Sequence, residues 1–196
     1  MPFRFAVVEG ALEVQIAQRL ARHFDFEFRS ITDKHGGDRF WKEAARFDRA
    51  ARNVGPVLGL VDLEGAVCPS HLIQSRLGWS PHPNFALRVA VRMSESWLLA
   101  DSNGIARYLH VPVNKVPADP EAEVNPKQRV VNLARQSRSR AMRDKLVPTA
   151  EMRGVTVGRE YLPTMSEFIR DHWDVGSAAA KAPSLRRALD AIAARL

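Results

Sequence analysis

The sequence predicts an α/β fold: a mainly parallel sheet flanked by helices over residues 1–110, then a largely helical, basic C-terminal extension over 111–196. Three observations predict it. Short apolar runs alternate with helical stripes through the first half of the chain, as in successive strand–helix units. The run Val57–Val61 is apolar on both faces, as a central parallel strand is when helices cover both sides of the sheet. Beyond Ser94 the strand signals largely end.

Phe3 to Val8 is apolar apart from Arg4 and is too short for a helix, so it is the first strand. After Gly10, Leu12, Ile16, Ala17, Leu20 and Phe24 share one helical stripe, which predicts a helix to about His23. In "FDFEFRSI" the phenylalanines alternate with Asp25, Glu27 and Arg29, the period of a half-buried edge strand. The loop "TDKHGGD" leads to a helix from about Asp38, its expected cap, to Arg52. Val57–Val61 follows as the third strand and stops at Asp62; a helix is expected over Pro69–Leu77. "FALRVAVRM" then gives a fourth strand with Leu87, Val89 and Val91 opposite Arg88 and Arg92.

"SESWLLADSNGIARYLHV" reads as helical turns broken near Asn103-Gly104, and "VPVNKVPADPEAEVNP" as a proline-containing connector. Asn125 as cap and Pro126 as first helical residue start another helix, and weaker patterns follow at about Met165–His172 and Ser184–Leu196.

The chain has 196 residues, 45% of them hydrophobic, enough for a sizeable core. No stretch reaches the roughly 18 apolar residues of a membrane span, and the first residues lack a secretory pattern, so the expected location is the cytoplasm. Cys68 is the single cysteine, which excludes an internal disulfide or a thiolate zinc cluster; it is expected to be a small packing residue. The tryptophans, Trp41, Trp79, Trp97 and Trp173, are likewise expected to pack. The net charge of +7 is carried entirely by the segment Lys127–Arg159, Arg153 included, while the rest of the chain is balanced. Such a segment suits a polyanion such as DNA or RNA, and it also suits a solvated helical face.

In a right-handed βαβ layer the strand-to-helix turns open on one sheet edge, where such folds bind ligands. Glu9 ends the first strand, Asp62 the third, and Glu95 follows the fourth. If strands one and three are neighbours, Glu9, Glu13, Asp62, Glu64 and Glu95 share one crevice, with Asp62 and Glu64 flanking Leu63 in an extended turn. So many carboxylates repel each other unless a cation intervenes. Oxygen ligands suit Mg²⁺ or Mn²⁺, and the six histidines show no zinc spacing. Two ions about 3.5–4 Å apart fit five ligands better than one.

"VVEGALE" followed by "GLVDLEG" at the end of a later strand resembles the Toprim domain of topoisomerases, primases and overcoming-lysogenization-defect nucleases. In that family a Glu closes the first strand and an acidic pair the third. Glu13 and Glu95 resemble the additional acids of the nuclease subset, where they complete a two-metal site. "ESWLLAD" with "NPKQRVVNLARQSRSRA" is similar to bacterial Toprim-like proteins that work beside an ATPase partner in phage defence. The resemblance implies a metal-dependent nuclease, with Glu9 serving also as general acid or base. This chain has Asp62-Leu63-Glu64 where the family usually has Asp-x-Asp, a longer second ligand.

Lys127, in the first turn of a helix, is the candidate for stabilising transition-state charge, and Arg135, Arg138, Arg140 and Arg143 for tracking a nucleic-acid backbone. Each acid also has a plain role open to it as a cap or first-turn residue, and Lys127 as a solvated lysine. Two further readings stay open: a Toprim-like binding or regulatory subunit without catalysis, and a receiver-type phosphotransfer domain with Asp62 as acceptor.

Overall fold

The computed structural model describes residues 3–152 and 154–196; Arg153 of the basic segment lies outside them. Along the chain run β1 (Phe5–Val8), α1 (Ala11–His23), β2 (Ser30–Asp33), α2 (Gly37–Asn53), β3 (Val57–Asp62), α3 (Pro69–Leu77) and β4 (Phe85–Ala90). Then come α4 (Ser94–Ala100), α5 (Ser102–Tyr108), α6 (Pro126–Arg135), α7 (Arg140–Leu146), α8 (Tyr161–Glu167), α9 (Val175–Ala179) and α10 (Pro183–Ala193). They form two compact units: the first runs to Ser94 and includes Pro183–Leu196, and the second is Glu95–Ala182. The boundary expected at residue 110 thus falls inside the second unit, and the last helix belongs with the sheet.

In the first unit the strands lie in the order β2-β1-β3-β4, all parallel, with Phe5 beside both Ser30 and Val57, and Val57 beside Phe85. This is the doubly wound arrangement the alternating pattern predicts: the chain leaves β1 in one direction for β2 and returns past it to β3, so strands one and three are neighbours. One sheet face buries Val7, Val57, Val61, Leu87 and Val89 with Phe40 of α2 and Leu72 of α3. Gly59 is needed there, because a Cβ would stand 3.0 Å from Leu87 and Phe85 and 3.3 Å from Phe40. Strand alternation turns Ala6, Val8, Leu58, Leu60 and Ala86 to the other face, where Leu12, Ile16 and Leu20 of α1 are buried. Helix α10 packs against β4, its Ser184 hydroxyl accepting the Val91 amide at 3.3 Å.

Several local expectations are corrected. The strand placed over "FDFEFRSI" begins only at Ser30: the phenylalanines do alternate in burial, but Asp25 turns at φ 55 and no ladder forms before Ser30. Helix α2 is capped by Gly36 at φ 129, a conformation that suits glycine, so Asp38 is a first-turn acid. The break after α4 comes at Asp101, ahead of Asn103-Gly104. Cys68 is exposed, its sulfur accepting the His71 amide at 3.5 Å to cap α3. Trp79 is 36% exposed, whereas Trp97 and Trp173 are buried in the second unit, the Trp173 indole donating to the Trp97 carbonyl at 3.3 Å.

The second unit gathers α4 to α9 around Trp97, Leu98, Leu99, Ile105, Phe168 and Trp173. Asp101 joins its parts: buried, it accepts the Gly104 amide through Oδ1 and the Asp174 amide through Oδ2, each at 2.9 Å. Asn125 caps α6 by accepting the Gln128 amide at 2.9 Å, with Pro126 in the first turn, as expected.

Candidate functional site

Glu9 leaves β1 at the point where the strand order reverses. Its amide continues the ladder to the Leu60 carbonyl at 3.1 Å, and its carbonyl accepts the Gly36 amide at 2.8 Å. Its backbone is therefore held between β3 and the turn into α2. The side chain is placed from two sides. Oε2 accepts the Asp62 amide at 3.1 Å, and Oε1 lies over Gly37, where a Cβ would stand only 3.1 Å away. Gly37 opens α2, whose partial positive end favours a carboxylate there.

Asp62 ends β3, and its Oδ1 accepts both the amide of Ser94 at 2.8 Å and its hydroxyl at 2.9 Å. Glu9 and Asp62, 53 residues apart in sequence, are thus joined at adjacent strand ends on the edge where the sequence placed them. Ser94 is a positioning residue that the sequence showed only as a helix start.

The other acids sit differently. Glu13, 7% exposed, folds its carboxylate back over Gly10, where a Cβ would meet Oε2 at 3.0 Å. It occupies the third position of α1, where an acid is favoured by the helix itself. Glu64 is exposed and left-handed at φ 51, its amide bound to the Arg92 carbonyl at 2.8 Å. The extended Asp62–Glu64 turn expected from sequence is instead a tight bend, closed by the Ala66 amide on the Leu63 carbonyl at 3.1 Å. Among the described residues no group of three or more His, Cys, Asp or Glu is disposed to hold a metal ion. Glu9 with Asp62 is the pair whose contact across the two strand ends the structure records.

Glu95 and Lys127 belong to the second unit and are paired there. Glu95 is 1% exposed, and its Oε1 accepts the Tyr161 hydroxyl at 3.1 Å and faces Lys127 Nζ at 3.6 Å. Burial of a carboxylate is offset by a cation and a hydroxyl on one oxygen. Tyr161 was not foreseen, since nothing in the sequence ties it to an acid 66 residues away.

The basic side chains of that unit divide. Arg140 pairs with Asp144 at 3.5 Å, and Arg143 donates through Nη1 to the Ser137 carbonyl. Arg135 rests on Asn132 Oδ1 at 3.0 Å and is exposed. Arg138, also exposed, lines an open groove of about 420 Å³ with Arg107, His110, Ala106, Val111 and Pro112. This groove carries no acid, so it can receive phosphate oxygens.

Compared with protein-family models, curated proteins and solved structures, the chain matches none.

Proposed function

We propose that this chain is a Toprim-like nuclease that hydrolyses phosphodiester bonds of DNA or RNA with Mg²⁺ or Mn²⁺, Glu9 and Asp62 being the residues that would hold the ion. The observation that carries the reading is the hydrogen bond from the Asp62 amide to Glu9 Oε2, which couples two acids at the topological switch point. The donor chemistry fits: carboxylate oxygens without histidine or thiolate suit a hard cation. A pair rather than a cage suits Mg²⁺, which keeps several waters and is bound by one or two carboxylates plus substrate phosphate. The reading is therefore of one ion on this pair, in place of two ions on five acids. When bound, such an ion supplies Lewis acidity toward a phosphodiester oxygen and lowers the pKa of water.

The chain's own residues do the rest. Ser94 fixes the orientation of Asp62, the Asp62 amide fixes Glu9, and the start of α2 stabilises the Glu9 charge. In the second unit the groove of Arg107, His110 and Arg138 would take strand phosphates, with Arg135 beside it in sequence. Lys127 serves Glu95 in this reading, so its expected part in stabilising transition-state charge is set aside. The ATPase partner rests on the resemblance alone.

A binding module without catalysis is the second reading, favoured by the pairing of Glu95 with Lys127. Plasmid and single-stranded DNA or RNA, each incubated with the protein and Mg²⁺ or Mn²⁺, separate the two. Cleavage abolished by EDTA supports the nuclease, whereas a gel shift without cleavage supports the module.

A further inference from the structure

Arg88 is out of place in an apolar strand. It sits in the middle of β4, beside Leu60 in the register and between buried Leu87 and Val89. Its Nε is buried and meets no hydrogen-bond acceptor. The side chain as a whole is half-buried, and because a guanidinium does not lose its proton in proteins, the charge stays with one donor unmet.

What surrounds it is more positive charge. Helix α10 runs back along β4, from Ser184 on the Val91 amide to Arg195, which donates through Nη2 to the Pro83 carbonyl ahead of the strand. Arg187 and Ala191 lie one turn apart on α10, and Arg195 follows at the same spacing in the turn just beyond the helix end. Arg195 is further fixed by the Ala191 carbonyl at 2.8 Å and by the Phe3 ring, 5.6 Å from its guanidinium carbon. Burial lowers the Arg88 pKa, and Arg195 and then Arg187 push it the same way; no acid counters them. Among the described residues no ion pair joins Arg88, Arg187 or Arg195 to a carboxylate, that of the exposed Asp190 on the same helix included.

Three guanidiniums without an acid, one with a buried donor directed at no protein acceptor, make a site for an oxyanion. We propose that Arg88, Arg187 and Arg195 bind a phosphate group on the face of the first unit where α10 lies along β4. Phosphate is preferred to a carboxylate because it brings up to two charges and several oxygens to planar forks that bind it two bonds at a time. The site is independent of Glu9 and Asp62, and its test needs no cleavage.

The full chain, as wild type, R88M and R187Q, is titrated with inorganic phosphate by calorimetry and thermal unfolding, in chloride at constant ionic strength with acetate as control. Wild type is expected to bind phosphate and to gain melting temperature with it. R88M should lose both and melt no lower than wild type without phosphate, because a buried donor without an acceptor has gone. R187Q, a surface change that leaves the core alone, should weaken phosphate about tenfold, and it decides the matter if R88M does not fold. A 5′-phosphorylated oligonucleotide compared with its 5′-hydroxyl form identifies the source. A stronger response to the phosphorylated strand, lost in R187Q, assigns the site to strand ends; a response to inorganic phosphate alone assigns it to a small phosphate. Equal phosphate binding by wild type and R187Q, or an equal response of wild type to acetate, overturns the proposal.

Discussion

Replacing Glu9 in two ways separates what its charge does from what its oxygen does. In Glu9→Ala the Asp62 amide loses its acceptor, and a hydrogen bond to a charged group contributes about 1.5–3 kcal/mol. For a chain of this size that corresponds to a melting temperature lower by roughly 3–12 °C. Glu9→Gln keeps an oxygen for the same amide and removes only the charge, so its loss should stay below about 1 kcal/mol. The order reverses in importance for the ion. Removing a partner that merely orients a metal ligand already costs about 10–100-fold in affinity or activity, so losing a ligand should cost at least as much. Both variants should therefore fail to cleave DNA or RNA and bind Mn²⁺ at least about tenfold more weakly. Urea and thermal unfolding read the first effect; calorimetry and plasmid cleavage read the second. Glu9→Gln cleaving at the wild-type rate, or Glu9→Ala as stable as wild type, would refute the reasoning.

Asp101→Ala removes a buried acceptor of two backbone amides and should destabilise the second unit by about 3 kcal/mol, with faster hydrogen exchange at Gly104 and Asp174. Gly59→Ala forces a methyl against Leu87, Phe85 and Phe40 and should cost about 1–3 kcal/mol in urea unfolding. Tyr108 is pushed up to about 12, first by burial and then by Glu167 and Asp171, while its hydroxyl donates to the Thr164 carbonyl at 2.8 Å. The unfolded chain then ionises this phenol first, near pH 10, so its contribution is complete below that and is lost as pH rises toward 12. Tyr108→Phe should accordingly flatten the loss of stability between pH 10 and 12, measured by urea unfolding across that range.

The sheet was legible because burial on two faces writes itself as continuous apolar runs, and Val57–Val61 could hardly be anything else. The acids Glu9 and Asp62 were legible for the complementary reason: each interrupts such a run where a parallel strand must end. What failed was anything decided by partners distant in the chain. The alternation Phe24-Phe26-Phe28 reports burial faithfully, but a strand requires a ladder, and the turn at Asp25 withholds one until Ser30. The companions of Glu95, Lys127 and Tyr161, could not be read from the sequence because they come from α6 and α8. Arg88 was legible only as lying opposite Leu87, Val89 and Val91, since nothing local indicates that a helix nearly a hundred residues later packs on that strand. The turn at Glu64 was expected to be extended because nothing local marks a left-handed residue that is not glycine.

Because Pro183–Leu196 belongs with β1 to β4, the eighty-odd residues of the second unit are an insertion into the first. During synthesis the sheet emerges early but waits for this covering helix until the intervening second unit has been made. A chain cut before Pro183 would thus leave exposed the apolar surface that Leu185, Ala188 and Ile192 cover, and placing α10 ahead of β1 should relieve the delay.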